Sequence, residues 1–299
     1  MDQRTTALDR VTLASLVWGD VDDTRRPLAV LLHGFPDTAH TWRHVGPRLA
    51  AAGYRVVAPF TRGYAPSTIP ADGSYHVPAL MDDAIGLHRA YDGDDRALLV
   101  GHDWGAITAN GIAASDANPF GVIVALAVPP LATMNPRRDD LGRWLRILPR
   151  QAAMSWYTVF NQLPRLPERG FDRLVAHLWR RWSPGYDATE DLVHLAAALP
   201  DDDRKAAAIG YYRAQPRLGQ LPGRYQPLAH DWVAEPKVPL LYLQGADDGC
   251  LDPRWAGRIG DRLPEGSVVA VVEGAGHFLQ LERPEVVGER ILDFAGARR

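Results

Sequence analysis

Six short apolar runs constrain this chain more than any other feature: "LAVLLH" (Leu28 to His33), "YRVVAP" (Tyr54 to Pro59), "ALLVGH" (Ala97 to His102), "VIVALAV" (Val122 to Val128), "PLLYLQG" (Pro239 to Gly245) and "SVVAVVEG" (Ser267 to Gly274). Each is nearly continuous in apolar residues instead of alternating, which is the pattern of strands covered on both faces, as in a parallel sheet. Helix-like segments lie between or after them: Ala39 to Ala52, Val77 to Tyr91, Gly105 to Ala114, Pro253 to Leu263 and Pro284 to Ala295. The alternation predicts an α/β fold built on a mostly parallel, doubly wound sheet.

Between about 129 and 235 the rhythm stops. Trp-, Arg- and Leu-rich helical segments, punctuated by "LPRLPERG" and "SPGYD", replace the strands. The simplest reading is a helical lid domain (129–235) inserted into a core made of 1–128 and 236–299.

The bulk numbers exclude several classes of partner. A net charge of −3 with Lys and Arg scattered along the chain gives no footprint for nucleic acid or an anionic membrane, and the basic pair Arg180–Arg181 reads as a solvated helix face. No apolar run approaches the ~20 residues that span a bilayer. The first ten residues, "MDQRTTALDR", lack the apolar stretch of a signal peptide. A single cysteine, Cys250, precludes an internal disulfide and fits a reducing compartment, so a cytoplasmic location is expected. No metal-ligand pattern surrounds that cysteine, which reads as a small packed thiol; neither metal nor organic cofactor is expected.

Chemistry-bearing residues gather at the carboxyl ends of the strands, where open α/β sheets bind ligands. Gly101-His102-Asp103-Trp104-Gly105 fits a strand-turn-helix nucleophile elbow, G-x-S-x-G, with aspartate in the serine position. A carboxylate there can attack carbon without a base to deprotonate it first. Asp103 could instead cap the following helix. Upstream, His33-Gly34-Phe35-Pro36 closes an earlier strand; it is either a plain turn or, as its resemblance to the HGxP turn of the α/β-hydrolase fold implies, a source of oxyanion-hole amides at Phe35 and Trp104. Downstream, Asp247-Asp248 and Gly274-Ala275-Gly276-His277-Phe278 close the last two strands, giving the chain order nucleophile, acid, histidine.

These motifs resemble the α/β-hydrolase superfamily over nearly the whole chain, and GHDWG with HGFP and "TRGYAPS" (Thr61 to Ser67) is most similar to its epoxide hydrolase branch. The resemblance implies Asp103 as nucleophile, His277 as base and Asp248, by G-x-x-D spacing, as the acid orienting it, with Asp247 a solvated neighbour. It further implies two lid tyrosines that hold the epoxide oxygen. "SWYTVFNQLPRLPE" maps the first to Tyr157 and "GYYRAQ" maps the second to Tyr212, with Tyr211 its rival. Ordinary aromatic packing is the alternative for both.

A small apolar epoxide is then the expected partner. Phe35, Trp104, Trp156, Tyr157, Tyr212 and Phe278 are expected beside it. Trp144, Leu145, Phe160, Trp179 and Trp182 add apolar content to the lid. The expected chemistry is opening to a vicinal diol through a covalent aspartyl ester. A haloalkane dehalogenase is less consistent, because those relatives place Asn after HG where this chain has Phe35. A hydrolase scaffold reused as a binding module is the non-enzymatic alternative.

Overall fold

The computed structural model describes residues 2–298. Its single sheet has eight strands: β1 (Asp2–Ala7), β2 (Thr12–Trp18), β3 (Leu28–Leu32), β4 (Arg55–Pro59), β5 (Leu98–His102), β6 (Val122–Leu126), β7 (Leu240–Gly245) and β8 (Val268–Val272). Their spatial order is β1-β2-β4-β3-β5-β6-β7-β8. From β4 to β8 every pair is parallel, while β1 and β2 pair antiparallel with each other and β2 with β4. The six apolar runs all become strands, and every residue of β3, β4, β5, β6 and β7 is buried; β8 departs from the expected two-sided burial, with Val268 and Val271 exposed, because it forms an edge of the sheet.

The amino-terminal hairpin is the one part of the sheet that the apolar runs do not announce. "DQRTTA" in β1 is polar and mostly exposed, because an edge strand has little to bury. The helices are α1 (Val45–Ala51), α2 (Val77–Ala90), α3 (Trp104–Ala114), α4 (Leu141–Met154), α5 (Trp156–Phe160), α6 (Leu166–Arg169), α7 (Phe171–Trp182), α8 (Thr189–Ala198), α9 (Asp202–Ala214), α10 (Ala256–Ile259), α11 (Leu279–Glu282) and α12 (Pro284–Gly296). The expected helix over Pro253 to Leu263 is instead α10 between two single 3-10 turns. The expected helix over Ala39 to Ala52 likewise divides into a 3-10 turn and α1.

Helices α4 to α9 all fall between β6 and β7, where the insertion is expected. They are tied to loops at the strand ends. The Trp179 indole donates to the Pro36 carbonyl at 2.9 Å, the Tyr211 hydroxyl to the Arg62 carbonyl at 2.8 Å, and Arg43 to Asp191 at 2.6 Å. The tail of the insertion behaves differently. Leu221, Tyr225 and Ala229 form a small apolar cluster with Ala79 of α2, so this stretch returns along the flank of the core instead of staying above it.

Beneath the strand ends, Arg62 is fully buried and makes two hydrogen bonds of 2.7 Å to Asp83 of α2, with further bonds to the Ser74 and Ala79 carbonyls. A buried guanidinium is tolerated only with such complete pairing. It fixes the Thr61–Ser67 turn against which Tyr211 is anchored.

Candidate active site

The elbow sits where β5 runs into α3. Asp103 has φ 51° and ψ −113°, a strained left-handed backbone held because the hydrogen-bonded strand and helix on either side leave no alternative. A side chain on Gly101 would overlap the Gly105 carbonyl, which explains the small residues flanking the turn. The capping alternative for Asp103 fails, since its side chain makes no cap bond to α3.

The carboxylate points across to the β3 loop. The Phe35 amide donates to Asp103 Oδ1 at 2.7 Å, and a Cβ on Gly34 would collide with that same oxygen. The turn is pinned from below by His33, whose ring lies 2.9 Å from the Gly34 carbonyl oxygen and accepts from the Thr61 amide at 3.0 Å. Burial, with the charge of His40 adding to it, depresses His33 to about 4, so the ring is neutral and structural. The Trp104 amide is among the first N–H groups of α3, which have no partner within the helix.

His277 follows β8 and faces Asp103 from the other side. Its Nδ1 is 3.0 Å from Asp248 Oδ2, and its Nε2 is 3.6 Å from Asp103 Oδ2 with no hydrogen-bond partner. Asp248 is itself saturated. Oδ1 accepts from the Cys250 and Leu251 amides at 2.6 and 3.0 Å, and Oδ2 accepts from Gln244 Nε2 at 2.9 Å. Asp247 is exposed and contributes only its amide, which donates to the Ala275 carbonyl. Of the two acids, Asp248 is the one that reaches His277.

Burial opposes a charge on the His277 imidazole, yet Cys250, Asp248 and Asp103 together outweigh it and hold the ring protonated well above the ordinary histidine range. Burial also pushes the Cys250 thiol up. A neutral thiol attracts a cation weakly, so the two carboxylates sustain the imidazolium. The neighbouring His102 is driven the other way, first by burial and then by His277. Its neutral ring bonds to the His277 carbonyl oxygen at 3.0 Å and steadies the loop.

Two phenols close the site from the insertion. The Tyr157 and Tyr212 rings meet edge to face, with centroids 5.6 Å apart, and Tyr212 also stands edge-on to Phe35 and Trp104, each at 5.1 Å. Burial raises both phenols well above their ordinary value, with Cys250 next for Tyr157 and Asp103 next for Tyr212. Both are thus neutral donors. The Tyr212 hydroxyl makes no hydrogen bond, whereas its rival Tyr211 is committed to Arg62.

Two expected pocket residues lie elsewhere. Trp156 is 43% exposed and packs on Phe160 and His177 at the outer surface of the insertion. It begins α5 while Tyr157, the next residue, turns inward, and neighbours on a helix point in directions about 100° apart. The aromatic wall beside Tyr157 and His277 is Trp182 instead, with centroids 4.9 Å from each. Phe278 is wholly buried, stacked on Trp179 at 3.5 Å behind the His277 ring. Of the remaining lid residues, Leu145 is exposed, Trp144 bonds to the Met134 carbonyl and Trp179 is stacked behind Phe278, so Trp182 supplies the apolar surface beside the site.

Sequence reasoning missed Cys250 as a member of this cluster. Its sulfur is 3.4 Å from the Tyr157 hydroxyl, and Asp103, Cys250 and His277 place ligating atoms within 4.8 Å of one another. Only the position of Cys250 just after the acid hinted at this. No helix among the described residues is long and apolar enough to cross a membrane.

A parallel sheet with an elbow after its central strand, and an acid and a histidine on loops after the last two, is the arrangement of an α/β hydrolase. The model of the alpha/beta hydrolase fold family matches residues 27–284. The chain is 31% identical to epoxide hydrolase A of Mycobacterium tuberculosis (strain ATCC 25618 / H37Rv), over 90% of each chain. It is 30% identical to the AB hydrolase superfamily protein YfhM of Bacillus subtilis (strain 168), again over 90% of each. Among solved structures, epoxide hydrolase A from Mycobacterium thermoresistibile superimposes with a TM-score of 0.71 at 26% identity, covering 98% of this chain and 97% of that one. The chain therefore belongs to the α/β-hydrolase fold family, as an epoxide hydrolase-like enzyme.

Proposed function

We propose that this enzyme opens a small apolar epoxide to a vicinal diol, with Asp103 as nucleophile, and that the inserted helices act as its lid. The supporting observation is the meeting of one buried carboxylate with a histidine on one side and two neutral phenols above, Tyr157 and Tyr212. Phenols suit an epoxide because ring opening leaves an alkoxide that must be given a proton. A leaving halide would need N–H donors instead, and Phe35 offers no side-chain donor.

The two oxygens of Asp103 divide the labour. Oδ1 rests on the Phe35 amide, leaving Oδ2, which faces His277, to attack the less hindered epoxide carbon. As that bond forms, the carbon–oxygen bond of the ring breaks and a phenol donates its proton to the departing oxygen. The product is an ester on Asp103. Esterification removes one of the two charges that hold the proton on His277, so the ring passes that proton to the phenolate just formed, which restores the phenol and leaves the imidazole free to serve as a base. Oriented by Asp248, it takes a proton from water, and the resulting hydroxide attacks the ester carbonyl. The oxyanion that forms at Oδ1 lies against the Phe35 and Trp104 amides; its collapse breaks the ester bond, and the leaving oxygen takes the proton of the regenerated Asp103 carboxyl, which frees the diol.

A single turnover in heavy-oxygen water tests this route. The label is expected in the Asp103 carboxylate and not in the first diol released. Label appearing directly in that diol would overturn the ester pathway.

A further inference from the structure

We propose that Asp103, Cys250 and His277 form a binding site for a thiophilic divalent cation of the zinc type, which closes the enzyme reversibly by occupying its reacting atoms. Three observations support the site. The ligating atoms of the three residues lie within 4.8 Å of one another, and the Oδ2 to Nε2 separation is 3.6 Å. In a tetrahedral zinc centre with bonds of 2.0 to 2.3 Å, neighbouring ligand atoms stand roughly 3.2 to 3.8 Å apart, so adjustment of the Cys250 rotamer by about 1 Å completes it. Second, His277 Nε2 is a fully buried polar atom with no hydrogen-bond partner, facing the Asp103 carboxylate. Third, Nδ1 of the same ring rests on Asp248, the carboxylate–histidine relay that fixes ring orientation and strengthens a metal-bound imidazole.

Charge balance favours occupancy as well. A dication held by one carboxylate and one thiolate is a neutral unit, which a buried, aromatic-walled site accepts far better than either charge alone. Two protons leave for solvent as the metal binds, one from the Cys250 thiol and one from His277 Nε2, since a coordinating thiol is deprotonated outright and a ligating imidazole is neutral. Sulfur with imidazole and carboxylate selects zinc-like ions over magnesium or calcium. The Tyr157 hydroxyl, 3.4 Å from the sulfur, stands on the side where a water molecule would complete the tetrahedron. The ligands come from three separate loops of the sheet, at positions 103, 250 and 277, so no local spacing reveals them.

Binding needs no assumption about the reaction; only the loss of activity rests on the epoxide reading. The test uses the full-length protein with cobalt(II) as optical probe and zinc(II) as competitor, against Cys250→Ser. One equivalent of cobalt is expected to give a thiolate-to-metal charge-transfer band in the near ultraviolet, which zinc abolishes. Cys250→Ser should lack the band and bind zinc at least about tenfold more weakly. Absence of the band in the unsubstituted protein, or equal zinc affinity in the two proteins, overturns the site; the first of these needs no variant to fold. With an epoxide as substrate, zinc should inhibit competitively. Tight zinc binding and the cobalt band in a protein inert toward epoxides support the metal site and overturn only the catalytic reading.

Discussion

His277 Nε2 lies 3.6 Å from Asp103 Oδ2, close enough for the two to share charge and too far for a hydrogen bond. On the proposed route the gap leaves that oxygen free to reach substrate, which a tight bond would prevent. Removing each partner should therefore stop the reaction at a different stage. Asp103→Ala is expected to abolish turnover, and His277→Gln to form the ester and stall, with a mass increase equal to the epoxide seen by intact-protein mass spectrometry. No adduct in His277→Gln under saturating epoxide would contradict the order of steps.

The adjacent tyrosines 211 and 212 should separate cleanly. Tyr212→Phe and Tyr157→Phe each remove a proton donor and are expected to lower kcat/KM by about 10²-fold or more, with little change in thermal unfolding. Tyr211→Phe deletes the bond to the Arg62 carbonyl and should cost about 1 kcal/mol of stability while leaving turnover per folded molecule near its starting value. Equal kinetic losses in Tyr211→Phe and Tyr212→Phe would undo the assignment.

Asp248 orients His277 through Nδ1, and its other bonds come from Gln244 and the amides of residues 250 and 251. Asp248→Asn should preserve the loop yet favour the wrong tautomer, lowering the hydrolytic step by roughly 10²- to 10⁴-fold. Rapid-quench kinetics should show ester formation less affected than ester breakdown. A variant slowed equally in both steps would argue against an orienting role.

Asp37 predicts a pH dependence of stability. It is fully buried below the insertion; burial, and then the charge of Asp191, raise it to about 8 despite hydrogen bonds from Thr38 and Thr41 and the nearby Arg43. The folded protein therefore holds a proton that the unfolded chain releases at about 4. The stabilisation is complete below that value and is lost as pH rises through about 8. Asp37→Asn, which cannot ionise, should lose less stability than the parent between pH 5 and 9 in urea unfolding, a gap of roughly 1 kcal/mol or more. Parallel curves for the two proteins would show that Asp37 ionises normally.

The Arg62–Asp83 pair is the most fully buried ion pair beneath the site, and Asp83→Asn leaves the guanidinium short of its counter-charge. A loss of about 3 to 5 kcal/mol is expected in denaturant unfolding. A loss below about 1 kcal/mol would mean that the Arg62 carbonyl contacts alone hold the turn.

What the sequence determined by itself was everything that a short stretch must satisfy locally. Continuous apolar runs made the parallel strands legible, though not that β8 would lie exposed at an edge, while the polar edge strand β1 was not legible. Gly101 and Gly105 around Asp103, and the G-x-x-D spacing of Asp248, carry their geometry in a few residues of backbone. Distances across the fold were decided only by tertiary structure. Which face of α5 turns inward sent Tyr157 to the site and Trp156 to the surface, and the fixed Arg62 carbonyl engaged Tyr211 and left Tyr212 free. Cys250 reached the Asp103 carboxylate because β5, β7 and β8 end on one edge of one sheet. Residues far apart in sequence meet only when packing of the whole core sets the strand order, and no local pattern encodes that distance.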